Sequence, residues 1–293
     1  MINRNKVIIT GAAGFVGSNF VDYLLKKNFK VIGIDNLKTG KKKFLKNALQ
    51  NKNFKFYKLD LLRLKKNSKI FMNNIDTVFH FSANADVRYG FDNPRKDIEQ
   101  NIIVTSNILE AMKFNNIKKI VFTSTGSVYG ESKNIPTKET ERFPIQTSLY
   151  GTSKAACEGI ITSYCKASKI QSWIFRFVSV LGERYSHGHV YDFYKKLLQN
   201  KKKLKVLGNG NQKKSYIYIK DCIDAVMCSM KFYKKDVNIV NIGHNNYITV
   251  KQSIKYITDH LCLSPKLIFT SKKSSGWHGD NPFIHLNINK LKK

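Results

Sequence analysis

In the stretch Ser-Leu-Tyr-Gly-Thr-Ser-Lys, residues 148–154, a tyrosine stands four positions before a lysine. On a helix, positions i and i+4 share a face with Cβ atoms roughly 5–6 Å apart, so Tyr150 and Lys154 would point the same way. A phenol ionises near pH 10 and is a poor base in a cell. A neighbouring ammonium favours the phenolate. Bringing the phenol to about 7 takes roughly three pKa units, or about 4 kcal/mol. Such a pair could take a proton from a hydroxyl group and return it. The same spacing occurs on ordinary exposed helices, so the surrounding elements have to decide.

Those elements alternate. KVIIT (6–10), KVIGID (30–35), FKFYKLD (54–60), TVFHFS (77–82), KIVFTST (119–125) and SWIFRF (172–177) are short apolar runs that read as buried strands. Helical periodicity lies between them, clearest at 15–27 and 97–113. Strands alternating with helices predict βαβ units and a parallel sheet covered on both faces, a doubly wound Rossmann-type α/β fold. After about residue 178 the rhythm loosens into shorter strands and helices. The expected division is 1–178 as a dinucleotide-binding domain and 179–293 as mainly a smaller substrate lobe, some of whose segments return to the first domain.

The first strand runs into Gly11-Ala-Ala-Gly14-Phe15-Val16-Gly17 and then a helix. Glycines at this turn let the backbone approach a pyrophosphate, and Gly17 permits close helix–strand packing. The amides and positive end of the helix then hold the anion. Asp35 ends the second strand, where a carboxylate accepts hydrogen bonds from ribose hydroxyls and repels a 2′-phosphate, favouring NAD over NADP. Asp60, at the end of the third strand, is expected at the adenine edge, with Asn36 and Leu61 beside the two acids. Thr125 falls at the carboxyl end of a strand, where open α/β sheets place their ligands.

Composition limits the alternatives. The 293 residues are 42% hydrophobic and 24% charged, the balance of a globular protein, and no apolar run approaches a membrane span. The net charge of +31 comes from lysines spread along the whole chain among many asparagines, with no nucleic-acid-binding signature. Neither a nucleic acid nor a membrane is therefore expected as partner. Five cysteines without C-x-x-C spacing read as reduced thiols in a cytoplasm. His187 and His189 lack an evident third ligand, so no metal is expected.

Taken together, VIITGAAGFVGSNFVDYL, GIDNLKTG, VFHFSANADV, FTSTGSVYGE and SLYGTSKAACEG resemble the extended short-chain dehydrogenase/reductase family. Within it the chain is most similar to the NAD-dependent nucleotide-sugar epimerases, typified by UDP-glucose 4-epimerase. The resemblance covers nearly the whole chain. It weakens only at the end, where GWHGDNPFIHLNINKLKK is similar to a stretch that the family usually follows with another helix. It implies that Tyr150 is the acid/base, that Lys154 lowers its pKa and holds the nicotinamide ribose, and that Thr125 bonds the reacting sugar oxygen. It further implies NAD contacts from Phe81, Ser82 and Ala83, from Asn101, and from Phe177 and Val178. It also implies a homodimer built through the helices near 97–113 and 149–168.

The same resemblance narrows the reaction. Related 4,6-dehydratases carry Asp-Glu directly after the threonine, and related decarboxylases carry a glutamate at the second of these places; here they are Gly126 and Ser127. An epimerase needs no further acid or base. The expected activity is C4 epimerisation of a UDP-hexose through a keto intermediate, with a 4,6-dehydratase or a non-catalytic NAD sensor as alternatives. On the substrate side, Ser179 stands where 4-epimerases often have an asparagine and Lys214 where they have a phosphate-gripping arginine. His189 falls at a substrate-lining position.

Overall fold

In the computed structural model the described residues are 6–72, 74–141, 145–273, 276 and 280–292, with Arg88 and Tyr89 described by their backbone alone. The sequence stretch 277–279 lies outside them. The chain opens with β1 (Lys6–Thr10), α1 (Phe15–Lys26), β2 (Lys30–Asp35), β3 (Phe54–Lys58) and β4 (Thr77–His80). It continues through α2 (Val87–Asp92), α3 (Pro94–Asp97), a π-helical turn (Ile98–Ile103) and α4 (Val104–Phe114). Next come β5 (Lys119–Thr125), α5 (Leu149–Ser168), β6 (Gln171–Phe177), β7 (Ser179–Leu181), α6 (His189–Gln199) and β8 (Lys203–Val206). Short β9 (Lys213–Lys214) and β10 (Tyr216–Tyr218) lead into α7 (Ile219–Phe232), β11 (Val237–Ile242), β12 (Ile248–Thr249) and α8 (Val250–His260). The described chain closes with β13 (Lys266–Phe269), β14 (Phe283–Ile284) and α9 (Asn289–Lys292).

Seven strands form one parallel sheet in the order β3-β2-β1-β4-β5-β6-β11. The six apolar runs of the sequence are its first six strands, because a strand buried on both faces needs no polar alternation. The seventh, β11, comes from late in the chain and pairs with β6, Val240 opposite Phe175. One face of the sheet packs with α1 and α7 around Phe20, Leu24, Phe79, Trp173 and Val226. The other packs with α4 and α5 around Ile8, Ile108, Phe122, Ile161 and Ile174. A third, smaller core of Phe193, Leu197, Leu204, Val206, Val250 and Ile254 joins α6, β8 and α8.

Two expectations shift in detail. The third strand stops at Lys58, so Asp60 lies beyond it and caps the turn Leu61–Arg63 by accepting from Leu62 N (3.1 Å). The helix expected over 97–113 is instead α3, the π turn and α4 in succession. Apolar spacing cannot distinguish a π turn from an α turn, and such turns recur at functional sites.

A buried relay ties the sheet's central strands to α4. The Thr10 hydroxyl accepts from Phe81 N (3.1 Å) and Ser82 N (3.2 Å) and contacts His80 Nδ1 at 2.8 Å. His80 Nε2 meets the Thr105 hydroxyl at 3.0 Å, which in turn donates to Asn101 O (2.6 Å). The network is fully paired only when His80 is neutral with its proton on Nε2, an assignment made from partners. Burial, reinforced by the charge of Lys154, lowers the His80 pKa to about 3. The unfolded chain accepts a proton near pH 6.5 that the folded one refuses, so stability falls as pH drops from about 6.5 toward 3. At pH 5 this one group should cost about 2 kcal/mol relative to pH 7. Urea unfolding at the two pH values measures that loss, while the His80 ring resonances should stay in the neutral form down to about pH 4.

Candidate active site

The turn after β1 is a cradle with no room for a side chain at Gly11 or Gly17. Gly11 has φ +66°, and a Cβ there would lie 2.8 Å from Ser82 N. A Cβ on Gly17 would overlap the carbonyl oxygen of Gly11. Gly14 begins α1 without a side-chain cap, and no acidic residue occupies the helix's first turn. The positive helix end is therefore left for an external anion. These residues fit the pyrophosphate of a dinucleotide.

Asp35 is buried at the end of β2 and accepts from Ala13 N (3.0 Å) and Leu37 N (2.7 Å). It stitches the first two βα turns together, and each carboxylate oxygen keeps a lone pair for a ribose hydroxyl. Burial pushes its pKa up, while the two backbone donors pull the other way. Asn36 accepts from Lys38 N (3.0 Å), and Lys38 Nζ reaches Asp60 at 3.3 Å. The Leu61 side chain is core, and its carbonyl accepts from Asn107 (3.0 Å).

The other expected residues converge. A cavity of about 580 Å³ opens at the carboxyl ends of β1, β4, β5 and β6, and Phe15, Val16, Phe81, Ala83, Thr125, Tyr150, Lys154, Phe177, Val178, Ser179, His189 and Lys214 all line it. That volume is ample for a small-molecule ligand. Ser82 is not among its lining residues, and its amide donates to the Thr10 hydroxyl. Asn101 does not face it: 1% exposed, its side chain accepts from Asn84 N (2.8 Å) and donates to Ser153 Oγ (2.8 Å).

Tyr150 and Lys154 occupy the first turns of α5, whose start is capped by Ser148 accepting from Gly151 N (3.0 Å). The electrostatics differ from the sequence expectation. Lys154 Nζ donates to Thr123 O (2.7 Å) and lies 4.4 Å from the centre of the Phe122 ring. Burial lowers its pKa to about 8. Tyr150 is pushed well above the ordinary phenol range, first by burial and then by the charges of Asp97 and Cys157, against a hydrogen bond with Thr125. Desolvation thus dominates at Tyr150, and the polypeptide alone keeps the proton on it.

On the far wall, His189 Nε2 meets the Tyr216 hydroxyl at 2.7 Å, and burial with the nearby Lys214 charge lowers its pKa to about 4. Lys214 donates to Asn281 O (3.1 Å) and pairs with the buried Asp280 at 3.6 Å. Asp192 and Lys196 also line this wall but were missed from sequence. The spacing His189, Asp192, Phe193, Lys196 is one helical face and was the available signal. Among the described residues no cluster of three or more His, Cys, Asp or Glu could hold a metal.

Residues 7–243 match the profile of the NAD dependent epimerase/dehydratase family. The chain belongs to that family. It is 32% identical over 290 residues to a protein of Methanocaldococcus jannaschii provisionally named UDP-glucose 4-epimerase, covering 97% of this chain and 90% of that one. It is also 33% identical over 253 residues to dTDP-D-glucose 4,6-dehydratase of Dictyostelium discoideum, covering 81% of this chain and 58% of that one. Among solved structures, UDP-glucuronic acid 4-epimerase from Bacillus cereus in complex with UDP-glucuronic acid and NAD superposes with a TM-score of 0.87 at 28% identity, covering 98% of this chain and 91% of that one. Family membership explains the glycine cradle, and the cradle in turn gives a test. Gly17→Ala should cost about 1–3 kcal/mol of stability by overpacking and weaken NAD binding at least about tenfold, measured by denaturant unfolding and direct NAD titration.

Proposed function

We propose that the protein is an NAD-dependent nucleotide-sugar epimerase that inverts C4 of a UDP-hexose. The observation that carries this reading is a cavity lined by Thr125, Tyr150 and Lys154 that has no second acid–base pair beside the threonine. Ser127 is engaged with Thr125, whose hydroxyl contacts Ser127 Oγ at 3.2 Å and accepts from Ser127 N at 3.1 Å. Gly126 has no space for a side chain, since a Cβ there would lie 2.5 Å from Ile284 Cγ2. An elimination of water needs proton donors and acceptors at neighbouring carbons, and these positions supply none.

In this reading the Thr125 hydroxyl holds the sugar's reacting oxygen, and Tyr150 Oη takes the hydroxyl proton and later returns it. Lys154 orients the site from beneath through Thr123 O. NAD, when bound, supplies a reversible hydride acceptor and the positive ring charge that offsets burial at Tyr150. The cavity walls let the keto sugar turn within the site, so one acid/base serves both faces. Lys214, already paired with Asp280, offers the substrate phosphate less charge than a free cation would.

The division into a dinucleotide domain over 1–178 and a substrate lobe drawn mainly from 179–293 belongs to the same proposal; the separate core of α6, β8 and α8 supports it. A homodimer through the α4 and α5 faces is likewise proposed, supported by exposed Ile103 and Phe114. No helix among the described residues is long and apolar enough to cross a membrane, which accords with a proposed cytoplasmic location.

Three experiments test the reading. Incubation with UDP-glucose and related nucleotide sugars should give a product of unchanged mass, and a product lighter by one water would assign dehydration instead. Tyr150→Phe should lower turnover by about 10²-fold or more while NAD binding stays within about twofold; undiminished turnover would remove Tyr150 from the chemistry. Gly126→Asp with Ser127→Glu should not yield a dehydratase, and should lower stability by about 1–3 kcal/mol because Ile284 must move.

A further inference from the structure

Asp97 ends α3 where the helix widens into the π turn, and it is 1% exposed. Its Oδ1 accepts from Asn84 Nδ2 at 2.8 Å and lies 3.4 Å from Asn101 Nδ2. Its Oδ2 is buried with no hydrogen-bond partner among the described residues, beneath the backbone of Gly90, where a Cβ would overlap it. An unpaired buried carboxylate oxygen costs stability, and an apolar residue of similar volume would often cost less. The expected NAD contact Asn101 is what this carboxylate holds. Asn101 donates to Ser153 Oγ (2.8 Å), and Ser153 Oγ donates to Tyr150 O (2.8 Å). A chain of hydrogen bonds therefore runs from Asp97 to the backbone of Tyr150, through the residue next to Lys154. Asn84, the other clamp, sits between the cavity-lining Ala83 and Ala85.

We propose that Asp97 is a positioning residue for the acid/base pair, fixing the first turn of α5 through Asn101 and Ser153 and placing a buried negative charge behind Tyr150 and Lys154. Among the described residues, the charges acting on Asp97 are Lys154 on α5 and Asp86 on the segment before α2, while Tyr150 feels Asp97 and Cys157, and Lys154 feels Cys157, Glu158 and Asp97. Glu99, two residues on, is instead taken up by Arg95 and Lys96. The Asp97 charge raises the pKa of both Tyr150 and Lys154. It therefore helps keep the phenol protonated and the amine charged in the polypeptide alone, and the positive ring of a bound dinucleotide would act against it at Tyr150. A second effect is mechanical: the same carboxylate holds the wall of the cavity at Asn84.

The inference rests on Tyr150 as the acid/base but not on which sugar is turned over, so its electrostatic half is tested without substrate and only its mechanical half needs turnover. The ultraviolet absorbance of the Tyr150 phenolate is titrated in the NAD-bound protein, with Tyr150→Phe as the blank. Asp97→Asn keeps the shape and an acceptor oxygen for Asn84 but removes the charge, and should move the titration to lower pH. Ser153→Ala keeps the charge but cuts the chain; it should leave the titration in place while lowering kcat by about tenfold, the loss of one hydrogen bond's positioning. An unshifted Asp97→Asn titration, or an equal shift in Ser153→Ala, would overturn the proposal. If Asp97→Asn fails to fold, the wild-type protein still decides. The ¹³C resonance of the Asp97 carboxyl should move at the pH where Tyr150 ionises, and a carboxyl that does not respond would overturn it. Absence of an epimer from wild-type protein would be a separate result, bearing on the sugar chemistry alone.

Discussion

Withdrawing a phenol and an ammonium together from water reverses their usual order of proton affinity. In water they release protons at nearly the same pH. In this cleft, burial drives Tyr150 up and brings Lys154 down to about 8. A phenolate–ammonium pair is therefore unfavourable in the polypeptide alone, however close the two side chains are. What remains is a site waiting for positive charge. The features around it follow from that condition: a helix end with no acid in its first turn, a glycine cradle opening onto the same edge of the sheet, and a buried carboxylate behind the pair. A more polar pocket would only have returned the phenol toward its ordinary range near 10, still protonated at neutral pH.

The strands were legible because a parallel sheet buried on both faces writes itself as uninterrupted apolar runs, as at KVIIT and KIVFTST. The glycine cradle was legible for a different reason: backbone crowding admits only one residue type, so Gly11 and Gly17 mark the turn directly. What escaped detection depends on where side chains point. Asn101 has the right type and position for a ligand, yet it turns inward to Asn84 and Ser153. The π turn that carries it leaves the apolar pattern nearly intact. Proximity of Tyr150 to Lys154 was inferable from spacing, whereas the desolvation that reverses its electrostatic outcome depends on the whole fold around it.

The substrate wall is built by contacts across long sequence separations. Lys214 and Asp280 come together only because β14 pairs with β9, Ile284 opposite Lys214. Nothing local marks Asp280 as the partner that absorbs part of the lysine's charge. His189 heads a helix whose one face lines the cavity, and its low pKa of about 4 makes it a neutral hydrogen-bonding group at physiological pH rather than a cation. This wall therefore presents less net positive charge than a count of its basic residues implies. Charge pairing, more than the overall excess of lysines, sets what a diphosphate would meet there.

Percent identity does not separate the chemistries within this family, since it is 32% to the epimerase relative and 33% to the dehydratase, although the dehydratase match covers less of both chains. The discriminating difference is a packing constraint at one turn. The 3₁₀ turn Gly126–Tyr129 follows β5 directly, and the short strand β14 crosses over its first residue. Ile284 fills the space a side chain at 126 would need, and Leu286 closes behind it at 3.3 Å from the same point. An acid at that position would require both a substitution and a shift of the Ile284 side chain. The same segment hydrogen-bonds to the loop after the turn, Asn281 to Gly130 O, and pairs backbone to backbone at Thr137 N and His285 O (2.9 Å). The way the last strand is laid against the catalytic one thus limits which side chains position 126 accommodates.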